Sequence, residues 1–382
     1  MIYEPNRYHY VTIHSYVYYL QSLGYDVNLL VHESFDAADV LGDYARLVNT
    51  IYFSVWNDKV VLDTLFSDEF DLIWVSTLDY GSEMPCIFER FGRGYPHPRH
   101  GLFGTIHSLE LAKGYGCNYK EFALLGTLSD YRSIAPFTYP ISLSFLDGRV
   151  SKDGKPVVRQ ACTPVTFASV GVSTSLAPMM DASSKIRSAG TDYNYSILVC
   201  GAGASKAGIC KQYLKAIKRS ILNDLDARAR VTINPLSFHK SLNRFSFVGE
   251  LTFQKLFAVL TDSDYILSSF EGTRIDRFST CCTSGATILS LAYAKPMLLN
   301  ACVAKSWGFT DKECITYNNN NEFYTRLVEC IELDHDRYES MRENLILKRE
   351  QRENHTLEAI AEAADSVRHG KRQGGGRESC RR

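Results

Sequence analysis

Short apolar runs alternate along the chain with stretches that carry apolar residues at helical spacing. Residues 1–4 predict a short strand, ended by Pro5 and Asn6. Residues 10–23 place Val11, Tyr16, Tyr19, Leu20 and Leu23 at helical spacing, and Gly24 stands just past that helix. Residues 27–31 form an apolar run with one interruption, fit for a buried parallel strand. Residues 1–31 therefore predict one βαβ unit. A further strand is predicted over residues 70–75 (FDLIWV), and a helix over residues 37–48. The stretch GRGYPHPRHGLFG, residues 92–104, reads as a loop without regular structure, lining a cleft or crossing the surface. Residues 150–155 read as a turn. Residues 176–194 are rich in Ser, Ala, Gly and Asp and read as a linker between domains.

The second half restarts the same rhythm. Strands are predicted over residues 196–200, 231–234, 245–248, 265–269 and 297–300, and helices over 208–222, 253–260 and 284–293. Strands that alternate with helices predict an α/β protein with parallel sheets covered by helices on both faces. Ligands of such sheets sit beyond the carboxyl ends of the strands, here in a cleft between two lobes. Residues 337–365 predict one or two C-terminal helices. The tail over residues 367–382 holds six Arg or Lys, one Glu and four Gly and is expected to be disordered. It either touches an anionic membrane surface or is an inert solvated tail.

Composition narrows the class. A chain of 382 residues is long enough for two domains at ~150 residues each. The 42 basic and 43 acidic residues leave a net charge of -1, so nothing electrostatic points to nucleic acid as the partner. No apolar run reaches the ~18 residues of a membrane span, and residues 1–10 lack the pattern of a signal peptide. The 11 cysteines are scattered without a CxxC pair, and Cys281 and Cys282 are adjacent, so reduced thiols in a cytoplasmic protein are expected. Secreted disulfide scaffolds, collagen-like chains and zinc ribbons are excluded.

Four groups of residues could carry chemistry. Gly201-Ala202-Gly203-Ala204-Ser205-Lys206-Ala207-Gly208 follows a predicted strand and opens a helix, where free amides attract phosphate. Its third glycine comes too late for a dinucleotide fingerprint, and it lacks the GK[ST] of a P-loop, so a plain tight turn stays open. Thr283-Ser284-Gly285-Ala286 precedes another helix, which Thr283 or Ser284 can cap while Gly285 lets a phosphate approach. Glu271, Arg274, Asp276 and Arg277 share the loop before it. An arginine there pairs either with a diphosphate or within the loop. His9 lies in the loop after the first strand, His14 on the following helix and His107 in Gly104-Thr105-Ile106-His107-Ser108. His9 is placed as a general base, and His107 is second. Neither GxSxG nor HExxH occurs.

In their order along the chain these motifs resemble the GT-B glycosyltransferases, and the opening resembles bacterial polysaccharide-biosynthesis members. Phe247-Val248-Gly249-Glu250-Leu251 followed by Phe253-Gln254-Lys255-Leu256-Phe257 is similar to the family's F-x-G strand end and next helix. Asp264-Tyr265-Ile266-Leu267 is similar to its "aDyil" strand, and Thr283-Ser284-Gly285 through Leu289, Ala292 and Lys295-Pro296 to its "tSG…LA…gKP" segment. Glu4-Pro5-Asn6…His9 and Tyr19-Leu20…Leu23-Gly24-Tyr25-Asp26-Val27 carry the N-terminal likeness. The usual glycine before Lys-Pro is Ala294. The second of the paired glutamates found in many retaining members is missing near Phe278 or Ser279, although Glu271 is present.

The resemblance implies an acceptor-binding Rossmann-like domain over residues 1–175 and a nucleotide-sugar-binding one over 195–335. A helical segment over 336–366 and the tail complete the chain. It implies a UDP- or GDP-sugar donor as substrate, held near Gly201, Gly203, Ser205, Lys206, Glu250, Arg274, Thr283, Ser284 and Gly285. No cofactor or metal is obligatory, because helix dipoles and basic residues stabilise the leaving diphosphate. The expected activity moves a sugar to a saccharide or lipid-linked acceptor in surface-polysaccharide biosynthesis, in the cytoplasm or at the inner face of the membrane. His9 and His107 are the candidate catalytic residues. The alternative is a non-catalytic partner of the same fold that binds a glycan or another transferase. A nucleotide-sugar epimerase would need a carboxylate and histidine cluster, and an NAD oxidoreductase a better fingerprint.

Overall fold

The chain begins with a strand that is buried on every side. The structure is a computed structural model and describes residues 1–5, 10–55, 59–67, 69–76, 101–105, 123–125, 165–170, 177–191, 193–200, 244–249, 251–268, 275 and 285–374. The chain divides into one unit of Met1–Pro140, Cys281–Thr283 and Arg349–Arg382 and another of Ile141–Thr280 and Ser284–Lys348.

The first unit opens with β1 (Ile2–Glu4), α1 (Tyr10–Ser22) and β2 (Val27–His32). Tyr10, Ile13, Tyr16, Val17 and Leu20 recur at helical spacing along α1, and all are buried. The Tyr16 ring packs 4.4 Å from that of Trp74. Gly24 takes φ +81° and ends the helix, with Tyr25 N donating to Leu20 O at 2.9 Å. The helix expected over 37–48 is shorter. It comprises α2 (Ala37–Leu41), a 3-10 turn (Gly42–Leu47) and then β3 (Val48–Phe53). Gly42, at φ +54°, stops α2, and the β-branched and aromatic run that follows prefers a pleated edge.

There follow α3 (Lys59–Phe66), β4 (Leu72–Val75), β5 (Gly101–Thr105) and β6 (Ala123–Leu125). β5 occupies the end of the stretch expected to lack regular structure. Its Gly101-Leu102-Phe103-Gly104-Thr105 pairs in parallel with β4, and backbone pairing does not depend on side-chain bulk. The six strands run in the order β3-β2-β1-β4-β5-β6.

The second unit contains β7 (Val165–Val170), α4 (Ala177–Ser188), β8 (Tyr195–Cys200), β9 (Phe245–Gly249), α5 (Phe253–Asp262) and β10 (Tyr265–Ser268). It continues with α6 (Gly285–Tyr293), β11 (Met297–Asn300), α7 (Ala301–Ser306), β12 (Cys314–Tyr317) and α8 (Asn320–Glu332). Its strand order is β12-β11-β10-β7-β8-β9. Counted within each unit, both sheets read third-second-first-fourth-fifth-sixth, the order of a doubly wound dinucleotide-binding sheet.

Two expectations are corrected here. The boundary placed at residue 175 falls inside the second unit, because β7 pairs with both β8 and β10. The linker expected over 176–194 is mostly α4. Met179, Ala182 and Ile186 are enough to bury one face of that polar helix, and they join Phe323, Leu327 and Cys330 of α8 in one core cluster.

The last helix, α9, runs His335–Gly374. Near its start Tyr338 Oη donates to Asp264 O at 2.7 Å. Within the first unit, Tyr18 Oη donates to Glu353 Oε1 at 2.5 Å, and Thr356, Ile360 and Ala364 are buried. The helical segment expected over 336–366 is thus a single helix, and it extends through the part of the expected disordered tail up to Gly374. Among the described residues no helix is long and apolar enough to cross a membrane.

Candidate functional site

In a sheet of this order, neighbouring connections diverge where the strand order reverses, and ligands bind beyond the carboxyl ends at that point. In the second unit the point lies between β7 and β10. β10 ends at Ser268, buried at 0 % exposure, and its Oγ has no hydrogen-bond partner. Its carbonyl accepts from Tyr317 Oη at 3.4 Å. Helix α6 begins at Gly285, which is exposed. A Cβ built on Gly285 meets nothing within 4 Å. Thr287, in the first turn, is buried at 0 % exposure, and its hydroxyl also lacks a partner. Buried hydroxyls without partners are rare and costly in native proteins. Free amides and the helix dipole add positive potential at the same helix start. The arrangement suits an anion with several acceptor oxygens.

The neighbouring strand ends are already committed. Asn300 closes β11 and caps α7, its Oδ1 accepting from Cys302 N at 2.9 Å. Cys200 closes β8, and burial pushes its thiol up to about 11, so it stays protonated and is no nucleophile near neutral pH.

Of the site residues expected from sequence, Gly285 is placed at the carboxyl edge of the second sheet. His9, His107, Gly201, Gly203, Ser205, Lys206, Glu250, Arg274, Thr283 and Ser284 lie outside the described residues. Gly201 directly follows the end of β8, and Glu250 directly follows the end of β9. His14 is half-buried on α1. Its Nδ1 is buried without a partner, its ring meets Tyr44 at 4.9 Å, and burial lowers its pKa to about 4.

Other segments of the likeness prove to be structural. Asp264 precedes β10 at the amino edge, where its Oδ2 accepts from Thr166 N at 2.8 Å. Lys295 is buried, and its Nζ donates to Thr261 O at 2.7 Å, near the end of α5. Ala294 takes φ +48°. That left-handed conformation explains why a glycine is usual there.

The first unit holds groups that sequence reasoning missed as a site. Glu4 ends β1 and Ser76 follows β4, flanking the reversal point of that sheet. Both are fully buried. Ser76 Oγ lies 2.6 Å from Glu4 Oε2 and 3.0 Å from Tyr3 O. The available signal was an acidic residue closing an apolar strand just before a proline.

His32 ends β2, and its Nδ1 accepts from Ser34 N at 3.1 Å. A cavity of about 410 Å³ lies at the opposite, amino edge, lined by Leu20, Gly24, Asp26, Asn28, Glu69 and Asp71 among others. Among the described residues no group of three or more His, Cys, Asp or Glu could hold a metal ion.

No protein-family model matches the chain, and no curated protein matches it in sequence. Solved structures do match. An alpha-glucosyltransferase in complex with UDP and a 13-mer DNA superimposes with a TM-score of 0.56 at 12% identity, over 96% of this chain and 98% of that one. A glycosyltransferase from Rickettsia africae ESF-5 gives 0.50 at 13% identity, over 96% and 98%. A mutant O-GlcNAc transferase from Thermobaculum terrenum gives 0.50 at 12% identity, over 98% of this chain and 68% of that one. Identities this low speak for the fold alone. The chain is built on two Rossmann-like parallel sheets, the GT-B fold it shares with these glycosyltransferases.

Proposed function

We propose that the protein is a glycosyltransferase that uses a nucleotide-sugar donor. The observation that carries this reading is the carboxyl edge of the second sheet. There the start of α6 and the orphaned hydroxyls of Ser268 and Thr287 provide donors for an anion such as a diphosphate. Gly201, Gly203, Ser205, Glu250, Thr283 and Ser284 belong to segments that follow β8, β9 and β10, and they complete the donor site in this reading. The donor is a UDP- or GDP-sugar. The acceptor, a saccharide or lipid-linked saccharide of surface-polysaccharide assembly on the cytoplasmic side, is bound by the first unit.

The acceptor hydroxyl attacks the anomeric carbon and a new glycosidic bond forms. The bond from that carbon to the diphosphate oxygen breaks, and the nucleoside diphosphate leaves with the electron pair. His9, with His107 second, takes the hydroxyl proton if the reaction inverts. Lys206 or Arg274 and the α6 dipole stabilise the departing diphosphate without an obligatory metal.

The test is a thermal-shift screen with UDP, GDP, CMP, TDP and ADP, their sugars and NAD. A ligand at 100 times its dissociation constant stabilises by ~2.7 kcal/mol. One nucleoside diphosphate is expected to shift the melting of the native chain and to lose that effect in Ser284→Trp. A native chain that responds to none of them overturns the transferase reading in favour of a non-catalytic partner.

A further inference from the structure

The turn after β2 displays two polar side chains that the donor site does not use. β2 ends at His32, and Glu33 and Ser34 follow it at the carboxyl edge of the first sheet. Glu4, the end of β1, stands opposite Val31, so His32 and Glu33 lie just beyond that level, one strand from the reversal point. The backbone of the turn is fixed. Glu33 N donates to Phe53 O at 2.8 Å, and Phe35 N donates to His32 O at 2.8 Å. Phe35 is buried, with its ring 4.9 Å from that of Tyr10, the first residue of α1. Asp36 then caps α2. The His32 ring is held as well. Its Nδ1 accepts from Ser34 N at 3.1 Å and lies 2.8 Å from Ser34 Oγ, and the ring meets Phe53 edge-on at 5.8 Å. Nε2 is left as the free polar atom of the ring. Glu33 is exposed, and among the described residues its carboxylate has no partner. A carboxylate and an imidazole nitrogen on consecutive residues of a fixed turn are arranged to meet adjacent hydroxyl groups.

We propose that His32 and Glu33 form the acceptor subsite and bind a vicinal diol of a saccharide. The proposal rests on the reading of the first unit as the acceptor side. The Glu33 carboxylate accepts from the diol, and Nε2 pairs with the neighbouring hydroxyl, which can both donate and accept. In dinucleotide-binding sheets of this strand order an acidic residue at the end of the second strand holds a ribose hydroxyl. Those sheets also need glycines in the turn after the first strand, where the pyrophosphate approaches the backbone. Residues 5–23 hold no glycine here. The diol-binding end of the sheet is therefore present without the phosphate cradle, and that combination favours a saccharide over a nucleotide.

Imidazole Cε1–H resonances of the full-length native chain test the subsite, with His32 assigned by its loss in His32→Phe. Should that variant fail to fold, His32→Gln gives the same assignment. The probes are the methyl glycosides of glucose, galactose, mannose and N-acetylglucosamine, and the nucleosides uridine and guanosine. At least one glycoside is expected to move the His32 resonance. Glu33→Ala, at an exposed position, is expected to weaken that glycoside by about tenfold or more, and so is removal of one hydroxyl of its diol. A His32 resonance that no glycoside moves overturns the proposal. So does an affinity that ignores Glu33→Ala, and so does a response to the nucleosides in place of the glycosides, which makes the diol a ribose. Thermal shift with nucleoside diphosphates is measured on the same chains. A chain that binds a glycoside through Glu33 and answers no nucleoside diphosphate keeps the subsite and loses the transferase reading. The reverse pattern keeps the transferase reading and overturns the subsite.

Discussion

The two reversal points differ in one pair of positions. In the first sheet Tyr3 stands opposite Val75, so Glu4 and Ser76 are the next partners. In the second sheet Leu267 stands opposite Ser169, so Ser268 and Val170 are the next partners. Ser76 and Ser268 thus occupy equivalent places, and both are fully buried. Ser76 has the Glu4 carboxylate at 2.6 Å, whereas Ser268 stands opposite a valine, a residue type with no polar side-chain atom, and its hydroxyl is orphaned. One fold therefore ends in two kinds of chemistry. The first sheet closes its polar groups on itself, Ser76 on Glu4. The second leaves donors unspent beside a helix start, suited to an anion.

The largest separation between the units is expected in acid. His14, in the first unit, has a pKa of about 4 when folded against 6.5 as its ordinary value. Between those values the unfolded chain holds a proton that the folded chain does not. Stability from His14 is therefore complete above pH 6.5 and falls as the pH drops toward 4, by about 3 kcal/mol at most. Trp74 and Trp307 are buried probes in the first and second unit. In a Trp56→Phe background, melts of Trp74→Phe and Trp307→Phe chains separate the signals, and the steeper fall below pH 6.5 belongs to the Trp74 signal. His14→Phe is expected to flatten it, and equal slopes in both signals would remove His14 as the cause.

The comparison of serines is sharpened by alanine. Ser76→Ala leaves the Glu4 carboxylate short of a donor and is expected to cost about 1–3 kcal/mol. Ser268→Ala removes a hydroxyl that has no partner, and the ligand-free protein is expected to be unchanged or up to ~1 kcal/mol more stable. Denaturant titration measures both. A cost for Ser268→Ala equal to that of Ser76→Ala would break the distinction.

A smaller effect concerns the Lys-Pro turn. Ala292 and Ala294 are equally buried, but Ala292 is helical and Ala294 is left-handed. Ala292→Gly is expected to cost about 1–2 kcal/mol from helix propensity and a lost methyl. Ala294→Gly is expected to cost less, because relief of the left-handed strain offsets the lost methyl. Paired urea melts settle the order.

Much of the fold was legible because buried parallel strands announce themselves. FDLIWV and the MLLN run are almost uninterrupted, and α1 shows its apolar face over four turns. α4 was hidden because three buried residues among polar ones look like a linker. β5 was hidden by its glycines, since register with β4 rather than side-chain bulk makes it a strand. At the site, the resemblance marked Gly285 by its spacing. It could not mark Ser268, whose significance is an unmet hydrogen bond, and it included Glu4 without its partner, which lies 72 residues away.

The most direct test of the donor site is Gly285→Asp. The site has room for the side chain, since a Cβ there meets nothing within 4 Å. An acid at a helix start stabilises the fold by about 0.3–1 kcal/mol, and the same charge repels a bound phosphate. Calorimetric titration with the nucleoside diphosphate that shifts the native chain gives the measurement. The account predicts a variant that melts no lower than the native protein and binds at least tenfold more weakly, about 1.4 kcal/mol. Undiminished affinity in a folded Gly285→Asp chain would place the diphosphate elsewhere and contradict the account.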